Sequence, residues 1–330
     1  MPDPSQLPPD NPLRRAFYLT GPTAVGKSAL ALELARQLDA EIIAVDSMTL
    51  YRGMDIGTAK TTPADQTLVR HHLLDVLDPW QCASVADYVQ WATAAAADIL
   101  ARRKQPLFVG GTPLYLKALF RGLFPGPPAD AHLRQVLEAQ AEAEGTPILH
   151  TRLAKADPAA ASRIHPNDRR RLIRALEVLT LTGLPISVQQ TQHAEPTPDI
   201  KAVALLRDRP DLHARIDARV DHMIARGWLD EVRRLVRSPR GLHSTPAQAV
   251  GYQELRHVLA TTLPLETAIT RIKQRTRQFA KRQETWFRSL TEVTPHRLYT
   301  STPTQHTLSD IAGLFLGDPT TPIDTSEAPD

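Results

Sequence analysis

Cysteine is nearly absent from this chain: Cys82 is the single one in 330 residues. That excludes an internal disulfide and any zinc site built from several cysteines, and a reducing compartment is expected. Long apolar runs are also missing, and none approaches a membrane span. Net charge is small, +3 at pH 7, so the total decides little until the charges are located. The opening MPDPSQLPPDNP has neither a basic start nor an apolar core, so no secretory leader is expected. Residues 1–13 and 316–330, rich in proline and polar residues, read as disordered tails. The length suffices for a full core with a second lobe.

What is present centres on residues 14–60. Phe17 to Thr20 is a short apolar run suited to a buried strand. It leads into GPTAVGKS, residues 21–28, which fits G-x-x-x-x-G-K-[ST]. Ala29 to Leu38 then has helix-forming composition. A loop entering a helix N-terminus points several free N–H groups at one spot. Gly21 and Gly26 let the backbone approach closely, Lys27 adds a cation and Ser28 a hydroxyl suited to Mg2+. Such a loop cradles two linked phosphates but does not name their owner: ATP, GTP and a prenyl diphosphate all present them. Glu41 to Val45 reads as the next strand, with Asp46 and Ser47 just past its end. Ligands of open α/β sheets bind at strand C-termini, which brings Asp46 near the loop's ligand.

Further along, Tyr51 to Lys60 reads as a loop. His71-His72 beside Asp75 invites a metal reading, but adjacent residues point apart, and packing or hydrogen bonding is the stronger expectation. Ser84 to Arg103 is an alanine-rich helix with a capping pattern. Pro106 to Gly110 is another buried strand, turning at Gly111-Thr112, and Tyr115 to Leu119 begins a helix. Prolines and glycines in GLFPGPPAD, residues 122–130, mark a boundary. Helical patterns follow at Ala131 to Glu144, Pro147 to Asp157 and Arg169 to Thr182, with no evident strand. Lys201 to Leu206 reads as a strand returning to the sheet, followed by helices between Asp211 and Val236 and between Gln248 and Leu259. Thr267 to Leu290 reads as a long terminal helix. The expectation is an α/β parallel-sheet core, residues 14–124 and 199–300, with a helical insertion at 125–198.

On that last helix Ile269, Ile272, Thr276, Phe279, Gln283, Trp286, Phe287 and Leu290 share one arc. Arg271, Lys273, Arg275, Arg277, Lys281, Arg282 and Arg288 occupy the remainder, opposed only by Glu284. The insertion has a second cluster, Arg163, Arg169, Arg170, Arg171 and Arg174, against Asp168. Two basic tracts fit a polyanion larger than a diphosphate, although a solvated basic face explains charge alone equally well.

The stretches GPTAVGKS, DSMTLYRGMDIGTAK, HHLLD, GGTPLY, RIHPNDRRRLIRALEV, VGYQEL and TRQFAKRQETWFR span roughly residues 17–290. Together they resemble the tRNA dimethylallyltransferase (tRNA isopentenyltransferase) family. The second and the last are far more specific than the loop. The resemblance implies a core similar to P-loop kinases and a helical insert that closes on a tRNA anticodon stem-loop. It implies transfer of a dimethylallyl group from dimethylallyl diphosphate to N6 of the adenosine 3′ of the anticodon, with Mg2+ at or near Ser28. Catalytic roles would fall to Asp46 as general base, Arg219 on the diphosphate, Thr23 and Lys27. Gly21, Pro22, Thr23, Ala24, Val25, Gly26, Lys27 and Ser28 would hold the diphosphate. Matched to tRNA contact are Asp46, Ser47, Met48 and Thr49, then Thr112 and Arg134. Arg170, Arg171, Leu172, Ile173 and Arg174 follow, and then Gln248, Ala249, Val250, Gly251, Tyr252 and Gln253. The last such stretch is Lys281, Arg282, Gln283, Glu284, Thr285, Trp286, Phe287 and Arg288. Thr49, Arg170 and Gln253 depart from the commonest family residues. A monomeric, cytoplasmic enzyme without a membrane segment is expected.

Two other classes compete. A small-molecule kinase would share the loop, but no apolar strand ends in a Walker-B-type Asp, and a kinase has no need of two arginine-rich tracts. A non-catalytic RNA-binding switch leaves Asp46 at the phosphate site unexplained.

Overall fold

Strand β1 (Phe17–Thr20) is buried along its whole length and pairs in parallel with two neighbours. It is part of a six-stranded, all-parallel sheet in a computed structural model that describes residues 7–8, 10–123, 126–190, 196–299 and 304–317. The others are β2 (Ala40–Val45), β3 (His71–His72), β4 (Gln105–Gly110), β5 (Lys201–Leu206) and β6 (Val293–Arg297), in the order β3-β2-β4-β1-β5-β6. Apolar runs such as FYLT and AEIIAV suit strands covered on both faces. Before the insertion the covering helices are α1 (Lys27–Gln37), α3 (Val85–Ala101) and α4 (Pro113–Arg121), while the short α2 (Pro63–Leu68) buries no residue. Ser84 and Asp87 close a reciprocal capping box at the start of α3.

By internal contacts the chain forms two units, Arg121–Glu195 and Leu7–Phe120 with Pro196–Asp330. The first is helical in its described residues: α5 (Ala131–Glu144), α6 (Thr146–Ala156), α7 (Pro158–Ala161), α8 (Arg169–Thr182) and α9 (Ile186–Gln190). Asp130 and Asp168 cap α5 and α8, and Gly183 in the left-handed region ends α8. Leu137, Leu149, Leu153, Leu172 and Leu176 build its core. Glu177, fully buried there, accepts from Arg134 Nε at 2.7 Å, Arg174 at 2.6 Å and the Asp130 N–H at 2.8 Å.

The second unit continues with α10 (Arg209–Ala225), α11 (Trp228–Arg237), α12 (Ser244–Ala247), α13 (Tyr252–Leu259), α14 (Leu265–Arg288) and α15 (Thr304–Leu316). Among the described residues no helix is long and apolar enough to cross a membrane.

Several expectations need correction. Helix α14 is not terminal: β6 and α15 follow it. VTPHR does not read as a strand because Pro295 cannot donate to a ladder, yet an edge position tolerates it. Helix α15 buries Leu308, Ile311 and Phe315, the last stacked on Phe17 at 4.8 Å. The tails also begin later than expected. Pro12–Arg15 makes a helical turn with Leu13 buried, and Leu316 belongs to α15; the rest of the expected tails, residues 1–6, 9 and 318–330, lies outside the described residues. The two histidines point apart: His71 Nδ1 lies 2.7 Å from Val69 O and His72 Nε2 2.7 Å from Glu41.

Glu41 is buried on β2 and also takes a fork of hydrogen bonds from Arg102, one at 2.9 Å. The guanidinium, with His72, holds its carboxyl down to about 2. A lowered folded-state value stabilises above the ordinary carboxylate range, and the benefit fades as pH falls through about 2. Glu41→Gln is expected to cost about 1.5–3 kcal/mol at neutral pH, read as a lower urea midpoint. The deficit should shrink as pH falls from 4.5 toward about 2.

Candidate active site

Parallel pairing delivers the ends of β2, β4 and β1 to one edge of the sheet, side by side. Three loops emerge there: Gly21–Gly26 into α1, Asp46–Thr49, and Gly111-Thr112 into α4. Gly21 sits at φ 138°, and a Cβ there would lie 2.6 Å from Leu205 O, so the turn out of β1 requires glycine.

The loops open on a cavity of about 470 Å³. Thr23, Ala24, Gly26, Lys27 and Ser28 line it, with Asp46, Thr49, Arg215, Arg219 and Gln283. Its remaining wall includes Ala31, Ile42, Ala44, Leu74 and Val109. Lys27, Arg215 and Arg219 therefore share this space with one carboxylate, that of Asp46.

The electrostatics follow from that crowding. Lys27 Nζ donates to Gly21 O and Pro22 O, each at 2.8 Å. Burial lowers its pKa to about 7; nearby Arg219 pushes the same way and Asp46 opposes. Burial raises the Asp46 carboxyl above its ordinary value, against hydrogen bonds from the Met48 and Thr49 N–H groups and the charges of Lys27 and Arg219. The Met48 N–H reaches Asp46 Oδ1 at 2.7 Å, an Asx turn that fixes the carboxylate. Burial also lowers Arg219. All three keep some contact with solvent through the cavity mouth, while the protein around them excludes most of the water that would stabilise charge.

Among the described residues no group of three or more His, Cys, Asp or Glu side chains could hold a metal. Ser28, on the first turn of α1, and Asp46 face the same cavity. That donor set cannot cage an ion alone. It suits Mg2+, which keeps several waters and takes phosphate oxygens as ligands.

The expected RNA-contacting stretches divide by burial. Lys281, Arg282, Thr285, Arg288, Gln248, Arg170 and Arg171 are exposed. Leu172, Ile173, Tyr252, Gln283 and Phe287 are buried, so their side chains present no surface to a polyanion. Arg134 and Arg174 are committed to Glu177 and Gln253 to Arg275. The basic arc of α14 is also smaller than its sequence implies. Lys273 pairs with Asp221, Arg277 with Asp217 and Arg275 with Glu254, acids supplied by α10 and α13. In the helical unit Arg169 pairs with Glu138 and Glu142, and Arg171 with Asp168.

Three contributors escaped the sequence reading. Arg215 stands one helical turn before Arg219, a spacing that placed it on the same face. Its Nε donates to Ala24 O at 2.9 Å, while Arg207 Nε donates to Val25 O at 2.9 Å, so two arginines brace the loop. Glu231, buried on α11, accepts the N–H groups of Asp55, Ile56 and Gly57 at 2.9, 2.7 and 3.1 Å, ordering the loop whose Thr58, Ala59 and Thr61 wall the cavity. Nothing local to Glu231 signals that partner.

A family model described as IPP transferase matches residues 49–290. A tRNA dimethylallyltransferase of Symbiobacterium thermophilum is 49% identical over 279 residues, 84% of this chain and 87% of that one. A tRNA dimethylallyltransferase 1 of Trichlorobacter lovleyi is 47% identical over 277 residues, covering 83% and 91%. Among solved structures, the tRNA isopentenylpyrophosphate transferase of Bacillus halodurans is 38% identical with a TM-score of 0.67, over 92% of this chain and 97% of that one. A eukaryotic dimethylallyltransferase acting on tRNA is 27% identical with a TM-score of 0.77, over 95% and 82%. With three loops meeting at one sheet edge and identities near one half over most of its length, the chain belongs to the IPP transferase family.

Proposed function

We propose that the protein transfers a dimethylallyl group from dimethylallyl diphosphate to N6 of the adenosine 3′-adjacent to the anticodon of tRNA. One observation carries this reading: a single cavity joins a phosphate cradle, a carboxylate and an apolar wall. The family relatives support the chemistry. The exposed cations Arg271, Lys281, Arg282 and Arg288 on α14, and Arg170 in the helical unit, support RNA as the acceptor.

The N6 amine is a poor nucleophile because its lone pair is delocalised into the purine. As the C–N bond forms and the allylic C–O bond breaks, the amine proton passes to Asp46 and the electron pair leaves with the diphosphate. Burial makes Asp46 a stronger base than a solvated carboxylate. The leaving group's growing charge meets the N–H groups opening α1, Lys27 and Arg219, already desolvated and in place. Ser28 would hold Mg2+, which would neutralise diphosphate charge. The acceptor base leaves its stack to reach the cavity, at about a few kcal/mol.

The decisive assay incubates the protein and Mg2+ with unmodified tRNA and either dimethylallyl diphosphate or ATP, followed by mass spectrometry of the digested tRNA. A gain of one C5 unit on adenosine with the prenyl donor alone is expected. Phosphate transfer or ATP hydrolysis without C5 gain overturns the reading. Asp46→Asn should fold normally and lose about 10²–10⁴ in single-turnover rate. The wild-type rate should rise with pH as the Asp46 carboxyl ionises above its ordinary range, and the variant should lack that limb. Burial holds the Lys27 ammonium down to about 7, and a diphosphate beside it must raise that value. Calorimetry in buffers of different ionisation enthalpy should show proton uptake on binding at about pH 8, absent in Lys27→Met.

A further inference from the structure

Gln283 lies within a stretch matched to RNA contact, yet it is only 3% exposed. Its side chain points into the core from α14 and makes two hydrogen bonds of opposite sense. Oε1 accepts the Thr23 N–H at 2.9 Å, and Nε2 donates to Gly111 O at 2.5 Å. Thr23 belongs to the phosphate-binding loop. Gly111 and Thr112 both donate backbone N–H groups to Val45 O, at 3.1 and 3.3 Å, and Thr112 Oγ1 accepts the Ser47 N–H at 3.3 Å. Val45 and Ser47 flank Asp46. One amide thus ties the cradle of the leaving group to the segment that carries the base.

The fit leaves no slack. A Cβ on Gly111 would lie 2.6 Å from Gln283 Nε2 and 2.7 Å from Gly21 O, so the turn after β4 is pressed against both the amide and the loop. Only a side chain with a donor and an acceptor at one end satisfies both partners: a carboxylate has no donor and a thioether neither donates nor accepts well. The Thr23 N–H, engaged by Gln283, is oriented by the protein rather than by ligand.

We propose that Gln283 is a positioning residue for group transfer, holding the diphosphate cradle and Asp46 at their working separation, and that it does not contact the RNA. The inference rests on the prenyl-transfer reading above. Displacements near 1 Å between reacting groups cost about 10²-fold in rate, which sets the expected scale.

The test compares wild type with Gln283→Met, which keeps volume and loses both bonds, and Gln283→Glu, which keeps the acceptor and loses the donor. Single-turnover transfer from dimethylallyl diphosphate is measured at saturating tRNA and donor, with tRNA Kd by filter binding and unfolding temperature alongside. The Met variant should lose about 10–10²-fold in the saturated rate and the Glu variant less, with tRNA Kd changed by less than about twofold and wild-type pH dependence kept. A weakened tRNA Kd at unchanged saturated rate makes Gln283 an RNA contact and overturns the proposal. A lowered unfolding temperature at unchanged rate makes it merely structural and also overturns it. Should the Met variant fail to fold, the Glu variant decides by the same criteria. An inactive wild type overturns the prenyl-transfer reading itself, whereas active wild type with equally fast variants overturns this inference alone.

Discussion

In an all-parallel sheet every strand hands its chain to the same edge, and the strands beside the centre hand over loops that touch. Here β4 lies between β1 and β2, so the loops after all three meet. The glycine loop of residues 21–26 follows β1, Asp46 follows β2 and the Gly111 turn follows β4. Antiparallel pairing of any one of these strands would send its loop to the opposite edge. The distance between the glycine loop and Asp46 is therefore a consequence of strand order before it is a consequence of any side chain. The amide of Gln283 refines it.

The cavity brings like charges together in a place with little water. Burial lowers the readiness of both Lys27 and Arg219 to hold a proton, and a neighbouring cation adds to it in each case, Arg219 for Lys27 and Arg215 for Arg219. Asp46 relieves part of this and is itself driven upward by burial. A site with three cationic side chains and one carboxylate is poised for a multiply charged anion, which would remove the repulsion it was built around. The same desolvation that makes these buried charges costly strengthens every interaction made with that anion.

Charge on the outside obeys a different rule. Read along one helix, α14 is heavily basic. In the folded unit, three of its cations are matched by acids on α10 and α13. The helical unit repeats the pattern, with Glu177 gathering Arg134 and Arg174 at its core. A cationic surface suited to RNA remains, but it is thinner than a count of arginines implies, and part of that count holds helices together.

The sequence by itself determined the elements and the chemistry that local rules govern. The strand-loop-helix of residues 17–37, the caps of α3, α5 and α8, the apolar strands and the position of Asp46 at a strand end are all set by neighbours a few residues away. Only the tertiary structure decided the rest. It made Pro295 an edge-strand residue and recruited α15 to cover Phe17. It placed Glu231 under a loop about 175 residues earlier in the chain, and chose Thr23 and Gly111 as the partners of Gln283, which periodicity alone had already put on the inward arc of α14. The reason is physical. A hydrogen bond or ion pair across the fold depends on which elements pack together, and packing is a property of the whole core rather than of any stretch of chain.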